Sequence, residues 1–198
     1  MAEFVLKAKT ALNRDMPFVE QWEGFSCEEI SGQRVWWGGV ARNCAEPFAK
    51  TVKKHFGCEV PSSGRFCDGG LKGETVRLLS AGERQYFITS KSGSLAPAFA
   101  KVIYLTDQSD GWNGVLVEGK QARTVLAKLC GIDTHPLVFP AGSAARSPFE
   151  GMHALIACED VANGRYSVHF QRSSARSFID HLCHAAASAC GPAKSGGH

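Results

Sequence analysis

Cysteine and histidine are the residues of this chain best suited to bind a metal ion or to act as nucleophiles. The sequence holds eight cysteines and seven histidines in 198 residues. Zinc sites are usually marked by closely paired ligands such as C-x2-C, and this sequence has no such pair. Two looser groups come nearest: His55, Cys58 and Cys67 with Cys44 upstream, and His181 with His184 near Cys190. Because cysteine also fills cores as a small apolar residue, we expect reduced, mostly buried thiols and keep a cysteine enzyme or zinc module as an alternative.

Carboxylates and serines define no clearer active site. Nucleophilic catalysis needs a serine or cysteine beside a base and an orienting acid, and the G-x-S-x-G pattern is absent. The neighbouring carboxylates Glu28–Glu29 and Glu159–Asp160 are predicted to lie in turns, so they do not define an acid–base pair. His135 precedes Pro136, which favours an extended structural or contact position over a catalytic one. We therefore assign no catalytic, cofactor-binding or metal-binding residue to this chain.

The patterns of charge and hydropathy exclude several classes of partner. The net charge is +3 and the basic residues are scattered, so no continuous basic face for nucleic acid is expected. Gly119 and Lys120 follow a predicted strand but lack the rest of a phosphate loop, and no G-x-G-x-x-G follows a strand. No apolar run approaches the roughly 18 residues of a membrane span, and the N-terminus lacks the order of a secretory signal. The sequence thus favours a cytoplasmic protein without nucleic-acid or membrane partners.

Two stretches of the chain show the same order of predicted elements: a strand, a helix, two strands and a helix. In the first, residues 61–73 form a loop, and the helix that ends at Gly57 carries three apolar residues on one face: Phe48, Val52 and Phe56. In the second, a helix over residues 120–131 follows a strand. The predicted fold class is therefore α+β, with two tandem β-α-β-β-α (ferredoxin-like) units and antiparallel sheets. The predicted segments are an N-terminal extension (1–34), the first unit (35–110), the second unit (111–190) and a disordered tail (191–198).

Large aromatic side chains are frequent near the predicted edges and termini. Aromatic residues are enriched where proteins bury surface against partners, although each one singly is more often part of a core. For the N-terminal segment, docking against a partner and packing within the chain are equally compatible with the sequence. The residues predicted to meet a partner are Trp22, Phe25, Trp36, Trp37, Trp112 and His135.

Residues 114–146 carry a set of motifs that resembles a known family. A strand and a G-x-x-A-R-x-x-L-A-K helix over residues 119–128 lead to a D-x-H-P segment at 133–136 and an F-P-x-G turn at 139–142. The opening of the last helix, at residues 170–178, and a weaker turn at 80–87 fit the same pattern. Together these motifs resemble the gamma subunit of bacterial heterotetrameric sarcosine oxidase, over about residues 74–187.

That resemblance implies a fold like that of the folate-handling GcvT/YgfZ group and a structural, non-catalytic role. The complete oxidase would demethylate sarcosine to glycine, pass electrons through flavins to oxygen and transfer the one-carbon unit to tetrahydrofolate. FAD, FMN, NAD, zinc and tetrahydrofolate would be held by the partner chains, the alpha, beta and delta subunits, and none by this chain. The many cysteines and the region from residue 35 to 67 depart from the family, which leaves a related complex such as N-methylglutamate dehydrogenase open.

A free-standing folate-binding protein of the GcvT type is the main alternative from a different class. Such a protein would act on its own, and it would need a hole between the two units with a carboxylate directed at the pterin. Glu118 and Asp133 are the candidates that the sequence offers for this carboxylate, and both are poor ones.

Overall fold

Two antiparallel β-sheets face each other in this chain, and helices cover their outer sides. The computed structural model describes residues 9–12, 14–71, 73–91, 95 and 97–194. In chain order the elements are β1 (Val19–Trp22), β2 (Phe25–Ile30), β3 (Arg34–Val40), α1 (Ala45–Phe56), β4 (Phe66–Leu71), β5 (Glu74–Gly82), β6 (Gln85–Ser90), β7 (Ile103–Asp107), β8 (Trp112–Glu118), α2 (Ala122–Ala127), β9 (Ala144–Phe149), β10 (Met152–Asp160), β11 (Arg165–Gln171) and α3 (Ala175–Cys190). Short 3-10 helices at Pro97–Lys101 and Arg172–Ser174 precede β7 and α3.

Both sheets contain the same arrangement of four strands. The first sheet has the order β4-β5-β6-β3-β7, and the second sheet has the order β1-β2-β8-β11-β10-β9. The segments β3-α1-β4-β5-β6 and β8-α2-β9-β10-β11 are therefore two copies of one β-α-β-β-β unit, and further strands are added beside the first strand of each. The expected duplication is present at the level of architecture. The predicted β-α-β-β-α order is not the one observed, because three strands follow the helix in each unit.

One of the strands that the sequence pattern missed is β4, which lies within the predicted loop 61–73. It pairs with β5 along its whole length in antiparallel register. A Cβ at Gly69 would lie 2.4 Å from the carbonyl oxygen of Phe56, so the end of α1 rests against β4 only because this residue is glycine. Glycine weakens the strand pattern in a sequence, and here the close packing of a helix on the strand explains its presence.

The strands β1 and β2 come from the predicted N-terminal extension and belong to the second sheet. β2 pairs with β8 from Ser26 opposite Glu118 to Ile30 opposite Gly114. At the other end of the chain, Lys194 donates its backbone N–H to the carbonyl oxygen of Gln21 in β1, at 2.8 Å. Residues 195–198 of the predicted tail lie outside the described residues. The predicted segment boundaries stay predictions, but residues 19–30 are continuous with the sheet of the second unit.

Three apolar clusters hold these layers together. On the outer side of the first sheet, α1 buries Phe48, Val52 and Phe56, which confirms the predicted helix face. On the outer side of the second sheet, α2 and α3 pack over the strands. The third cluster lies between the sheets and includes Phe87 of β6 and Leu155 of β10. No helix in the described part of the chain is long and apolar enough to cross a membrane.

Candidate functional site

A polar cleft of about 620 Å³ lies between the two sheets, beside the apolar cluster that joins them. Side chains alternate between the two faces of a strand, so one set from β5, β6, β10 and β11 is directed into this space. The lining includes charged and polar groups from both sheets: Glu28, Glu29, Gln33, Arg77, Thr89, Glu159, Arg165, Ser167 and His169. The carboxylates predicted to lie in turns are therefore placed differently, since Glu28–Glu29 lies in β2 and Glu159–Asp160 ends β10.

Arg77 of β5 is the central cation of the cleft. Its Nε and Nη2 donate to the two carboxylate oxygens of Asp68 at 2.7 and 2.8 Å, and Asp68 lies directly opposite it on β4. Its Nη1 donates across the cleft to Glu159 and, at 3.2 Å, to the hydroxyl oxygen of Ser167. The guanidinium also lies over the ring of Phe66, 4.4 Å from its centroid. Nη1 of Arg77 thus joins the two sheets, while Nε and Nη2 bind Asp68 within the first sheet.

Glu159 of β10 receives donors from both sides. Besides Arg77, the Nε of Arg165 donates to it at 3.1 Å, and Arg165 also lies 3.5 Å from a carboxylate oxygen of Glu118. Burial disfavours the Glu159 carboxylate, but the charge of Arg77 and hydrogen bonds from its neighbours outweigh that effect and hold its pKa below the ordinary value. Glu159 is therefore an ionised carboxylate fixed between two arginines, which leaves it little freedom to act as a general base.

His169 of β11 is the most deeply buried titratable group of the cleft. It is 1% exposed, and its Nε2 lies 2.9 Å from Oε1 of Gln33. Its Nδ1 has no hydrogen-bond partner among the residues that the structure describes. Burial, together with the charge of Arg77, lowers its pKa to about 4 although Glu159 opposes the shift. The ring has room because Gly114 lies opposite, where a Cβ would come within 2.9 Å of the imidazole. His169 is thus a neutral imidazole inside the inter-sheet packing, out of reach of a substrate in solvent.

Glu29 of β2 anchors the segment that precedes the first strand. It is 3% exposed and accepts hydrogen bonds from the backbone N–H groups of Phe18 at 3.0 Å and Ala11 at 3.2 Å. A third bond comes from the Nδ2 of Asn113 in β8, at 2.9 Å. Because all three donors belong to the chain itself, the role visible for this carboxylate is structural.

Of the six residues predicted to meet a partner, five lie within or against the cores of the chain. Trp22 and Phe25 pack in the cluster outside the second sheet, and Trp36 packs outside the first. Trp37 and Trp112 are half-buried and stack on each other between the sheets, with ring centroids 6.1 Å apart. The remaining residue, His135, is exposed. Packing within the chain therefore accounts for these tryptophans, while the partner contacts themselves stay a prediction.

An exposed apolar pair follows His135 and was not singled out from the sequence. Leu137 is 88% exposed and Val138 is 62% exposed. The loop is braced, because Oδ1 of Asp133 accepts the backbone N–H of His135 at 2.8 Å and the next aromatic residue, Phe139, is buried. The signal was present in the sequence as two consecutive apolar residues after the D-x-H-P segment. We call residues 133–139 the D-x-H-P loop.

The remaining candidate groups are not assembled into a site. Glu118 faces Arg165, and one oxygen of the exposed Asp133 accepts the backbone N–H of His135. Across the ranges that the structure describes, no three histidine, cysteine or acidic side chains converge as metal ligands, which includes both cysteine–histidine groups noted in the sequence.

The arrangement of two facing sheets is shared with proteins of known structure. No protein-family model matches the sequence, and no curated protein matches it. A chain of the heterotetrameric sarcosine oxidase from Corynebacterium sp. U-96, solved with pyrrole 2-carboxylate, superposes with a TM-score of 0.71 at 16% identity. The alignment covers 89% of this chain and 91% of that chain, so the two are nearly equal in length.

A second similar structure is the glycine cleavage system aminomethyltransferase T from Bartonella henselae. It superposes with a TM-score of 0.60 at 12% identity over 82% of this chain, and this chain spans 46% of the length of that protein. Both similarities concern the fold. The chain has a GcvT-like fold, with two antiparallel sheets and few helices.

Proposed function

We propose that this chain is the structural, non-catalytic subunit of an oxidase complex that demethylates sarcosine to glycine, in the position of the gamma subunit. The observation that carries the proposal is the end-to-end alignment with a chain of a heterotetrameric sarcosine oxidase, a chain of nearly the same length. The G-x-x-A-R-x-x-L-A-K, D-x-H-P and F-P-x-G motifs, which resemble those of the gamma subunit, are the reason for proposing that position in the complex.

The chemistry of the cleft supports a structural role. The charged groups of the cleft are bound to one another, since Glu159 accepts hydrogen bonds from both Arg77 and Arg165. His169 is buried and neutral. In this proposal the bond-making groups belong to the companion chains, the alpha, beta and delta subunits, which carry FAD, FMN, NAD, zinc and tetrahydrofolate. This chain provides a rigid two-sheet body on which the flavin-bearing chains are held.

The contact with those companions is assigned to the D-x-H-P loop. Its two exposed apolar side chains, Leu137 and Val138, project from a loop whose backbone is fixed by Asp133 and the buried Phe139. A rigid apolar tip loses little conformational entropy on binding. Little of the free energy gained by burying it is therefore offset by the cost of ordering it. His135 lies at the base of this tip, and of the six predicted interface residues it is the one that is exposed.

The second candidate is a free-standing folate-binding protein. The similarity to an aminomethyltransferase and the polar cleft between the sheets favour it. The chain spans less than half of that enzyme, and Glu159 of the cleft is already paired with Arg77 and Arg165. The main proposal also leaves room for a related complex in which this chain has the same structural role and the substrate is another N-methyl amino acid, such as N-methylglutamate.

Co-expression of the untagged chain with the products of its neighbouring genes tests these alternatives. The expected result is a yellow complex that keeps this chain through size-exclusion chromatography and consumes oxygen with sarcosine, while the isolated chain is colourless and inactive. Faster oxygen consumption with N-methylglutamate than with sarcosine would change the proposed substrate but not the proposed structural role of this chain. A lone monomer that binds tetrahydrofolate in isothermal titration would contradict the proposal and support the second candidate.

A matched pair of variants locates the contact. The double variant Leu137→Asp/Val138→Asp is expected to dissociate from the complex. It should stay folded, because both side chains are exposed. The control is Tyr104→Asp, which changes an equally exposed apolar residue, 75% exposed, on the edge strand β7. Loss of assembly in the control but not in the loop variant would place the interface elsewhere.

A further inference from the structure

Two of the eight cysteines lie against each other at the junction of α1 and β4. The Sγ atoms of Cys58 and Cys67 are 3.0 Å apart, and both residues are free thiols. An S–S bond is about 2.0 Å long, so an approach of about 1 Å would bring the two sulfurs to bonding distance. In the described residues this is a pair of thiols already in contact, nine positions apart in the chain.

The backbone enforces this contact. Gly57 ends α1 in a left-handed conformation, with φ of 74°, and its N–H donates to the carbonyl oxygen of Lys53 at 3.1 Å. That turn directs Cys58 back over β4, where a Cβ at Gly69 would meet Phe56 at 2.4 Å and the sulfur of Cys58 at 3.1 Å. The helix end and the strand are therefore packed at backbone contact, and the two thiols are held together by elements that are rigid on both sides.

We propose that Cys58 and Cys67 form an oxidation site, at which a peroxide converts two thiols into an intramolecular disulfide that joins α1 to β4. This inference does not depend on the function proposed above. Both residues are partly exposed at the rim of the cluster outside the first sheet, so a small oxidant reaches them without unfolding.

The step balances with hydrogen peroxide as the oxidant. The sulfur of Cys58, whose chain neighbours Gly57 and Glu59 are exposed, attacks one peroxide oxygen, which gives a sulfenic acid and one water. The sulfur of Cys67 then attacks the Cys58 sulfur, forms the S–S bond and releases the second water. Two thiols lose two electrons and two protons, and one peroxide becomes two waters. Burial, with the hydrogen bond to Cys58, raises the pKa of the Cys67 thiol, which fits Cys67 as the resolving residue.

Peptide mapping of the full chain tests the proposal directly. Arg65 lies between the two cysteines, so trypsin separates them into peptides 55–65 and 66–72 unless a disulfide joins them. After treatment with hydrogen peroxide, alkylation of the remaining thiols and non-reducing digestion, we expect the two peptides mainly as one linked species, which dithiothreitol separates. If both peptides instead carry the alkyl group, or if either is linked to another cysteine, the proposal is wrong.

Variants make the test independent of folding. Cys44→Ser serves as the matched control, because Cys44 packs against the same cluster and should leave the link intact. Cys67→Ser should leave Cys58 as a sulfenic acid that dimedone traps. The disulfide should also raise the Tm of the wild-type chain and of Cys44→Ser by about 5–10 °C, reversibly with dithiothreitol. Equal Tm values for oxidised and reduced protein, together with the absence of the linked peptide, would contradict the proposal.

Discussion

Arg77 of the first sheet and Glu159 of the second are joined by a hydrogen-bonded ion pair, although they are 82 positions apart in the chain. The side chains are each 17% exposed, and Asp68 and Arg165 extend the pair into a network of four charges. The network closes the polar side of the space between the sheets, beside the apolar cluster around Phe87. The relative position of the two units is thus fixed by charge as well as by apolar packing.

Replacing Arg77 with leucine should destabilise the chain strongly. The substitution leaves the partly exposed Asp68 without its bidentate partner and the largely buried Glu159 with Arg165 alone. Breaking a largely buried pair by removing one partner is expected to lower the free energy of unfolding by about 3 kcal/mol. Urea unfolding followed by tryptophan fluorescence measures the change.

The control for Arg77 is Arg34→Leu, which removes an exposed pair with Asp107 whose side chains are about half exposed. Removing such a pair should lower the free energy of unfolding by less than about 1 kcal/mol. If both variants lose the same stability, the cross-sheet network contributes no more than a surface ion pair.

His169 should make the stability of the chain depend on pH in the mildly acidic range. Its pKa is about 4 in the folded chain, mainly because of burial, and about 6.5 in an unfolded one. Between these values the unfolded state binds a proton that the folded state excludes, so stability is full above about pH 6.5 and falls as the pH decreases toward 4. The expected loss over this window is about 3 kcal/mol. Denaturant unfolding at half-unit steps of pH gives the curve.

The variant His169→Gln should flatten that curve, because glutamine does not titrate. The matched control is His184→Gln, which changes an exposed histidine of α3 and should keep the wild-type slope. Glu159, whose pKa is lowered by Arg77 against the effect of burial, contributes stability that is lost only at still lower pH. A slope that persists unchanged in His169→Gln would assign the pH dependence to other groups.

The elements that could be predicted from the sequence are those that local periodicity determines. The face of α1 was readable because Phe48, Val52 and Phe56 recur at helical spacing, and most strands were readable from their β-branched and aromatic runs. β4 was missed because Gly69 and Gly70 hide the pattern, and Gly69 is explained only by the approach of Phe56 from another element. The duplication was predicted, but the extra strand in each unit was not.

The candidate site was less predictable than the fold, because its contacts join distant parts of the chain. Nothing near Arg77 in the sequence indicates that its partners are Asp68 and Glu159, and His169 looks like any histidine in a strand. The tryptophans show the same limit, since a large aromatic side chain has the same sequence pattern in a core as at an interface. Burial depends on tertiary packing, which the residue types alone do not reveal.

Removing the Glu29 carboxylate should release the segment before β1. In Glu29→Ala the N–H groups of Phe18 and Ala11 lose their acceptor, and so does the side-chain amide of Asn113. Leaving buried donors unsatisfied is expected to lower the free energy of unfolding by about 2–3 kcal/mol. Because Arg14 lies within the released segment, limited trypsin digestion should cut there on the order of ten times faster.

The neighbouring substitution Glu28→Ala is the control for Glu29, since Glu28 is exposed on the same strand. It should change neither the stability nor the cleavage at Arg14 appreciably. Equal cleavage rates in the two variants would show that Glu29 does not hold this segment.

A substitution at Gly119 should disrupt the contact between the turns that follow β8 and β1. Gly119 has a φ of 127°, and a Cβ there would lie 2.3 Å from the carbonyl oxygen of Gly24, so the turns after β8 and β1 meet at backbone contact. Gly119→Ala should therefore lower the free energy of unfolding by about 2–3 kcal/mol, from backbone strain and the clash together. Gly39→Ala is the control, because a Cβ at Gly39 meets nothing within 4 Å. Calorimetric melting of both variants measures the difference, and equal Tm values would mean that the two turns can separate without loss of stability.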